Sequence, residues 1–160
     1  MYIPFENLPE ESKIWIYPSN RKFSEQEVAA IETDLKLFLD SWDSHGTGLE
    51  SSYQIKYNRF ILLAVNQEVQ TASGCSIDKS VQFIQQLEQK YQVDLLDKMN
   101  VTYKTGEHIA HKTLLDFKKM AKEKAVSEHT IVFNNLVNSI QEFNDCWEVP
   151  AAESWHSRFF

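Results

Sequence analysis

Phe60-Ile61-Leu62-Leu63-Ala64-Val65 is the longest uninterrupted apolar run in the chain. It is far too short for a membrane span, which needs about 20 such residues. Read as a strand, it puts apolar side chains on both faces, so it is a central strand rather than an edge. Just before it, Leu49, Ser51, Tyr53, Ile55 and Tyr57 alternate with Glu50, Ser52, Gln54 and Lys56. Period two with one polar face predicts a half-buried strand from Leu49 to Tyr57. Asn58-Arg59 lies between the two runs as a two-residue turn, so the pair reads as a hairpin.

The flanking segments complete a pattern. Lys13-Ile14-Trp15-Ile16-Tyr17, closed by Pro18, is a short strand. Ser24-Glu25-Gln26-Glu27 matches a capping box, with Phe23 and Val28 as a hydrophobic staple. Val28, Ile31, Leu35, Phe38 and Trp42 follow at helical spacing, and the helix is expected to end near Ser44-His45-Gly46. After the hairpin, Ser76 is the expected N-cap of a helix carrying Ile77, Val81, Ile84, Leu87 and Tyr91. Val101-Thr102-Tyr103 is a further strand. The order β-α-β-β-α-β predicts an α+β, ferredoxin-like antiparallel sheet with both helices on one face.

Residues 1–104 therefore read as the ferredoxin-like unit. Residues 105–160 read as a C-terminal β-α-β-like extension packed on the same domain. There, Glu107–His111 is a strand and Thr113-Leu114-Leu115-Asp116 is a second capping-box match. Thr130-Ile131-Val132-Phe133 is another strand, and Ile140, Phe143 and Trp147 recur at helical spacing behind Ser139.

Composition excludes several classes of function. The formal charge is −7 over 160 residues. Phosphate tracking needs clustered Lys and Arg, so nucleic acid is not an expected partner. Two cysteines, Cys75 and Cys146, make no disulfide framework. With no leader-like apolar segment at the start, the expectation is a cytoplasmic, acidic protein without membrane insertion. Four glycines in the whole chain leave no Gly-rich phosphate loop. Walker A chemistry in particular needs Gly-x-x-x-x-Gly-Lys-Ser/Thr, and Cys75 stands where the Lys would precede Ser76.

The stretch Ser73-Gly74-Cys75-Ser76-Ile77-Asp78 holds the chemistry-bearing candidates. A helix N-terminus stabilises an anion or a thiolate. Gly74, Cys75 and Ser76 are thus the candidate anion contacts, and Cys75 is the candidate nucleophile. His45, beside Asp43, is the candidate base for it. In a ferredoxin-like fold we expect their two loops at opposite ends of the sheet, which would keep the pair apart. His108 and His111 are three apart, which on a strand points them to opposite faces, so no metal site and no cofactor are expected. Trp147, Trp155, Arg158 and Phe159 form an aromatic C-terminal segment, either an interaction surface or a tail docked on its own core.

Four stretches carry a resemblance: Ile55–Phe60, Ser73–Asp78, Thr130–Val137 and Ser154–Phe159. Together they resemble a family of uncharacterised bacterial proteins that often bear the label ABC transporter ATPase. The label implies ATP hydrolysis coupled to transport. The resemblance supplies no functional residues, and the chain has neither a Walker A nor an ABC signature sequence. From the residues themselves the leading expectation is a non-catalytic binding or interaction protein. Its partner would be another protein, a second copy of the chain, or a small anionic ligand. The competing expectation is a small enzyme or anion- and nucleotide-binding protein centred on Cys75.

Overall fold

A computed structural model describes residues 1–160. The first sheet is built from β1 (Lys13–Pro18), β4 (Ser51–Lys56) and β5 (Phe60–Val65). Its order is β1-β5-β4, with β5 antiparallel to both neighbours, so the central strand is the all-apolar one. Helix α1 (Glu25–Ser41) connects β1 to the β4–β5 hairpin, and α2 (Gly74–Tyr91) follows the hairpin. These helices cover one face. Ile31, Leu35 and Leu39 of α1 and Ile84 and Leu87 of α2 pack on Ile61, Leu63 and Val65.

The expected capping box of α1 is complete. Ser24 Oγ accepts from the Glu27 amide at 3.1 Å, and the Ser24 amide donates to Glu27 Oε1 at 2.9 Å. The helix ends sooner than its apolar spacing suggested. Trp42 is its C-cap, and the next residues form a small antiparallel ribbon of β2 (Asp43–Ser44) and β3 (Thr47–Gly48). His45 and Gly46 turn that ribbon, with φ of +51° and +81°.

The first sheet has three strands, not the four expected of a ferredoxin-like sheet. The expected fourth strand, β6 (Val101–Thr105), pairs with β7 (His108–Lys112) and β8 (Ile131–Phe133), not with β1. With β9 (Glu148–Pro150) these make a second sheet, ordered β7-β6-β8-β9. Residue 104 lies inside β6, so the sheet spans the expected boundary between residues 104 and 105.

The reason lies in β5. Alternate side chains Phe60, Leu62 and Ala64 face away from α1 and α2, and that side also has to leave water. They pack with Ile14 and Ile16 of β1, with Phe133 of β8, and with Ile140, Phe143 and Trp147. Ile140 and Phe143 belong to α4 (Ile140–Cys146), and Trp147 caps it. The layers are therefore helices, sheet, and then the second sheet with α4. Beyond them, Val101, Tyr103 and Val132 form a third cluster with Phe117 and Ala151. Phe117 belongs to α3 (Leu114–Lys122), which covers this outer side together with the C-terminal segment. No helix is long and apolar enough to cross a membrane.

Candidate functional site

The N-cap of α2 lies three residues earlier than expected. Ser73 is the N-cap, accepting from the Ser76 amide at 3.1 Å, while the Ser73 amide donates to Ser76 Oγ at 3.3 Å. Two serines thus form a reciprocal capping pair, a role usually shared by Ser and Glu. Gly74, Cys75 and Ser76 are the first three residues of the helix. Ser76 is only 1 % exposed, and its hydroxyl donates to the Asp43 carbonyl at 2.7 Å. Its amide and hydroxyl are therefore committed to Ser73 and Asp43, which removes one of the three expected anion contacts. Gly74 and Cys75 are exposed.

The two loops expected at opposite ends of the sheet lie at the same end. Ser51 at the start of β4 stands opposite Val65 at the end of β5. An antiparallel hairpin must bring those ends together. The chain entering β4 therefore meets the chain leaving β5. Trp42 Nε1 donates to the Ser76 carbonyl at 2.8 Å, and Lys79 Nζ bonds Asp43 Oδ1 at 3.2 Å. The elements meet, but no nucleophile constellation results. The Asp43 carboxylate is held by Lys79, and His45 sits exposed at the tip of the ribbon without a hydrogen bond to Asp43 or Cys75.

The aromatic C-terminal segment is docked on its own domain. Trp147 is 3 % exposed, and its Nε1 donates to Asn135 Oδ1 at 2.9 Å. Its ring lies 4.9 Å from Phe60 and 4.8 Å from Phe133, where the two sheets meet. Trp155 stacks on His156 at 3.9 Å, and Phe159 meets Phe117 at 5.6 Å. Arg158 alone of the four candidates is fully on the surface, 5.3 Å from the Trp155 ring.

A polar cleft forms elsewhere, between two hairpin turns. The β4–β5 turn is centred one residue earlier than expected. Tyr57 and Asn58 have φ of +55° and +52°, and the Arg59 amide donates to the Lys56 carbonyl at 3.0 Å. Two successive positive φ values suit the right-handed twist of a hairpin. Asn takes that conformation readily, whereas Tyr does so rarely. Tertiary contacts hold Tyr57 there: its ring stacks on Trp147 at 6.0 Å and its hydroxyl bonds Glu148. Lys104 Nζ binds the same Glu148 carboxylate at 2.8 Å, tying β9, β6 and the turn together.

The β6–β7 turn, with Gly106 at φ +65°, forms the other wall. The cleft between the turns measures about 420 Å³ and is lined by Lys22, Tyr57, Asn58, Arg59, Glu107, His108 and Ile109. Arg59 is the unusual member. It is half-buried, and burial pushes its pKa down. Its guanidinium makes no ion pair and no hydrogen bond, and Nη1 is shut off from solvent without a partner. Buried charge is normally paired, because the lost hydration is otherwise uncompensated. Nearby, half-buried His111 approaches Thr102 Oγ1 through Nδ1 at 3.3 Å. Burial, followed by the Arg59 charge, pushes the His111 pKa down.

Sequence reasoning passed over Arg59, taking Asn58-Arg59 as a turn. The available signal was a lone guanidinium directly before an all-apolar central strand, a position that draws its stem into the core. A second recess, about 460 Å³, runs between α1 and α2 along Leu37, Phe38, Phe83 and Leu87 and is flanked by the Asp34–Lys90 ion pair. Comparisons with protein-family models, with curated proteins and with solved structures returned no match to this chain.

Proposed function

We propose that this chain is a non-catalytic binding protein whose ligand is a small anion held in the cleft between the β4–β5 and β6–β7 turns. The observation that carries this reading is Arg59, a half-buried lining residue of the cleft whose guanidinium has no counter-ion and no hydrogen-bond partner in the chain. A planar, half-buried guanidinium without a counter-ion is suited to an oxyanion, which supplies the missing charge. Lys22 adds a second cation to the lining, and Asn58 adds an amide donor. Cys75, His45 and Asp43 lie on elements that meet, yet no hydrogen bond links the three side chains, which supports binding over catalysis.

The test is thermal unfolding of the full chain in rising acetate, benzoate or phosphate at constant ionic strength. A ligand that binds only the folded state raises Tm in a saturable way. We expect that behaviour for at least one anion, and its loss in Arg59→Gln. A Tm that responds to none of the three overturns the reading.

A further inference from the structure

Charge balance in this cleft narrows the class of anion, and the inference rests on the anion-binding reading of the same site. Among the lining residues Lys22 and Arg59 are cationic and Glu107 is anionic, with His108 neutral by the same convention that sets the net charge of the chain. The lining therefore carries one net positive charge. A carboxylate closes that balance. A phosphate group carries about −1.5 to −2 at pH 7 and would leave negative charge beside Glu107. Asp94 and Asp97 act on His111, as Arg59 does, and neither forms an ion pair with Arg59.

Geometry points the same way. The only guanidinium in the cleft offers a flat fork that matches a flat carboxylate through two parallel bonds. Dedicated phosphate sites generally draw on several main-chain amides at a helix start or a glycine-rich nest. This cleft lies between two hairpin turns, and the Arg59 amide is already bonded to Lys56. Tyr57 and Ile109 are the apolar members of the lining, so an apolar body behind the charged group would find cover.

We infer that the cleft binds a small monocarboxylate, with its carboxylate on Arg59 and its apolar body against Tyr57 and Ile109. Lys22 and Asn58 complete the polar side. Nη1 is shut off from solvent, so the carboxylate meets the guanidinium through its other nitrogens.

The test is a nitrogen-15 NMR titration of the full chain with benzoate, acetate and inorganic phosphate, each at pH 7 and constant ionic strength. Benzoate is expected to shift the amides of Asn58, Arg59 and His108 in a saturable way. It should bind more tightly than acetate, which lacks the apolar body, and at least about tenfold more tightly than phosphate. Arg59→Gln should weaken benzoate binding by about tenfold or more, the usual scale for a charge-assisted bond. Phosphate binding more tightly than benzoate at these resonances overturns the monocarboxylate and leaves the anion cleft standing. No shift at these resonances with any of the three overturns both. The wild-type comparison decides the matter even if the Arg59 variant fails to fold.

Discussion

The indole Nε1 of Trp42 donates to the main-chain oxygen of Ser76 at 2.8 Å, inside the core. Trp42 closes α1, and Ser76 belongs to the first turn of α2. One bond therefore joins the end of the first helix to the start of the second, and it fixes the end of the sheet where both loops gather. Replacing Trp42 with Phe removes the donor and leaves a void beside Trp15 and Phe38, whose rings lie 6.1 and 5.3 Å away. We expect Trp42→Phe to lower stability by about 3 kcal/mol, combining a lost buried bond with a partial cavity. Urea unfolding followed by circular dichroism measures it, and a loss below about 1 kcal/mol would show the bond to be dispensable.

His156 provides a pH-dependent term. It is 1 % exposed, Nδ1 lies 2.7 Å from Ser154 Oγ, and Nε2 has no partner. Burial, with a smaller contribution from Arg158, pushes its pKa from 6.5 down to about 4. The unfolded chain then binds a proton that the folded chain refuses between those values. Stability contributed by neutral His156 is complete above pH 6.5 and is lost as pH falls from there towards 4. Denaturation midpoints measured across pH 4–7 should show this slope in the wild type, and His156→Gln should flatten it. An unchanged slope in the variant would assign the pH dependence to other groups.

Glu27 contributes in a lower window. The Arg21 side chain binds both of its oxygens at 2.9 and 2.8 Å, the Ser24 amide adds a further bond, and the carboxyl pKa falls from 4.5 to about 2. A depressed folded pKa stabilises the protein above pH 4.5, and that stability is lost as pH falls towards 2. The pair is partly exposed, so its worth is at most about 1 kcal/mol. Arg21 also donates to the Tyr91 carbonyl at the last residue of α2, at 2.6 Å, so Arg21→Ala should cost more than Glu27→Gln. Urea midpoints of the two variants at pH 7 make the comparison; equal losses would mean the Tyr91 contact contributes nothing.

Helix α1 offers a paired control two residues apart. Leu35 is fully buried, whereas Leu37 is 68 % exposed on the rim of the α1–α2 recess. Leu35→Ala should cost about 2–5 kcal/mol, the range for an aliphatic core truncation. Leu37→Lys should change stability by no more than about 0.5 kcal/mol. Denaturant titration of both variants checks the prediction, and a large loss from Leu37→Lys would mean that Leu37 is covered in solution, for example by a second copy of the chain.

Local chemistry in the residues determined much of the secondary structure. Ser24 and Glu27 cap α1 as their spacing predicts, Thr113 caps α3 with one of the two bonds of its expected capping box, and Ser139 caps α4 without having been singled out as a cap by the sequence. The alternation before Phe60 makes the β4–β5 hairpin, and the run itself makes the central strand. Each of these signals acts over a few residues, so it is readable along the chain.

Pairing between distant segments was decided only in three dimensions. Val101–Thr105 carries a strand signal but nothing that names its neighbours, and it pairs with β7 and with β8, the strand whose Phe133 packs on the second face of β5. Ser73 rather than Ser76 became the cap because Ser76 is drawn inward to the Asp43 carbonyl, thirty-three residues away in sequence. The cleft at Arg59 arises in the same way. Its two walls are turns from different sheets, brought face to face by the Phe60–Phe133–Trp147 contact. The residues set which segments become strands and helices. Burial of both faces of one strand set where everything else had to go.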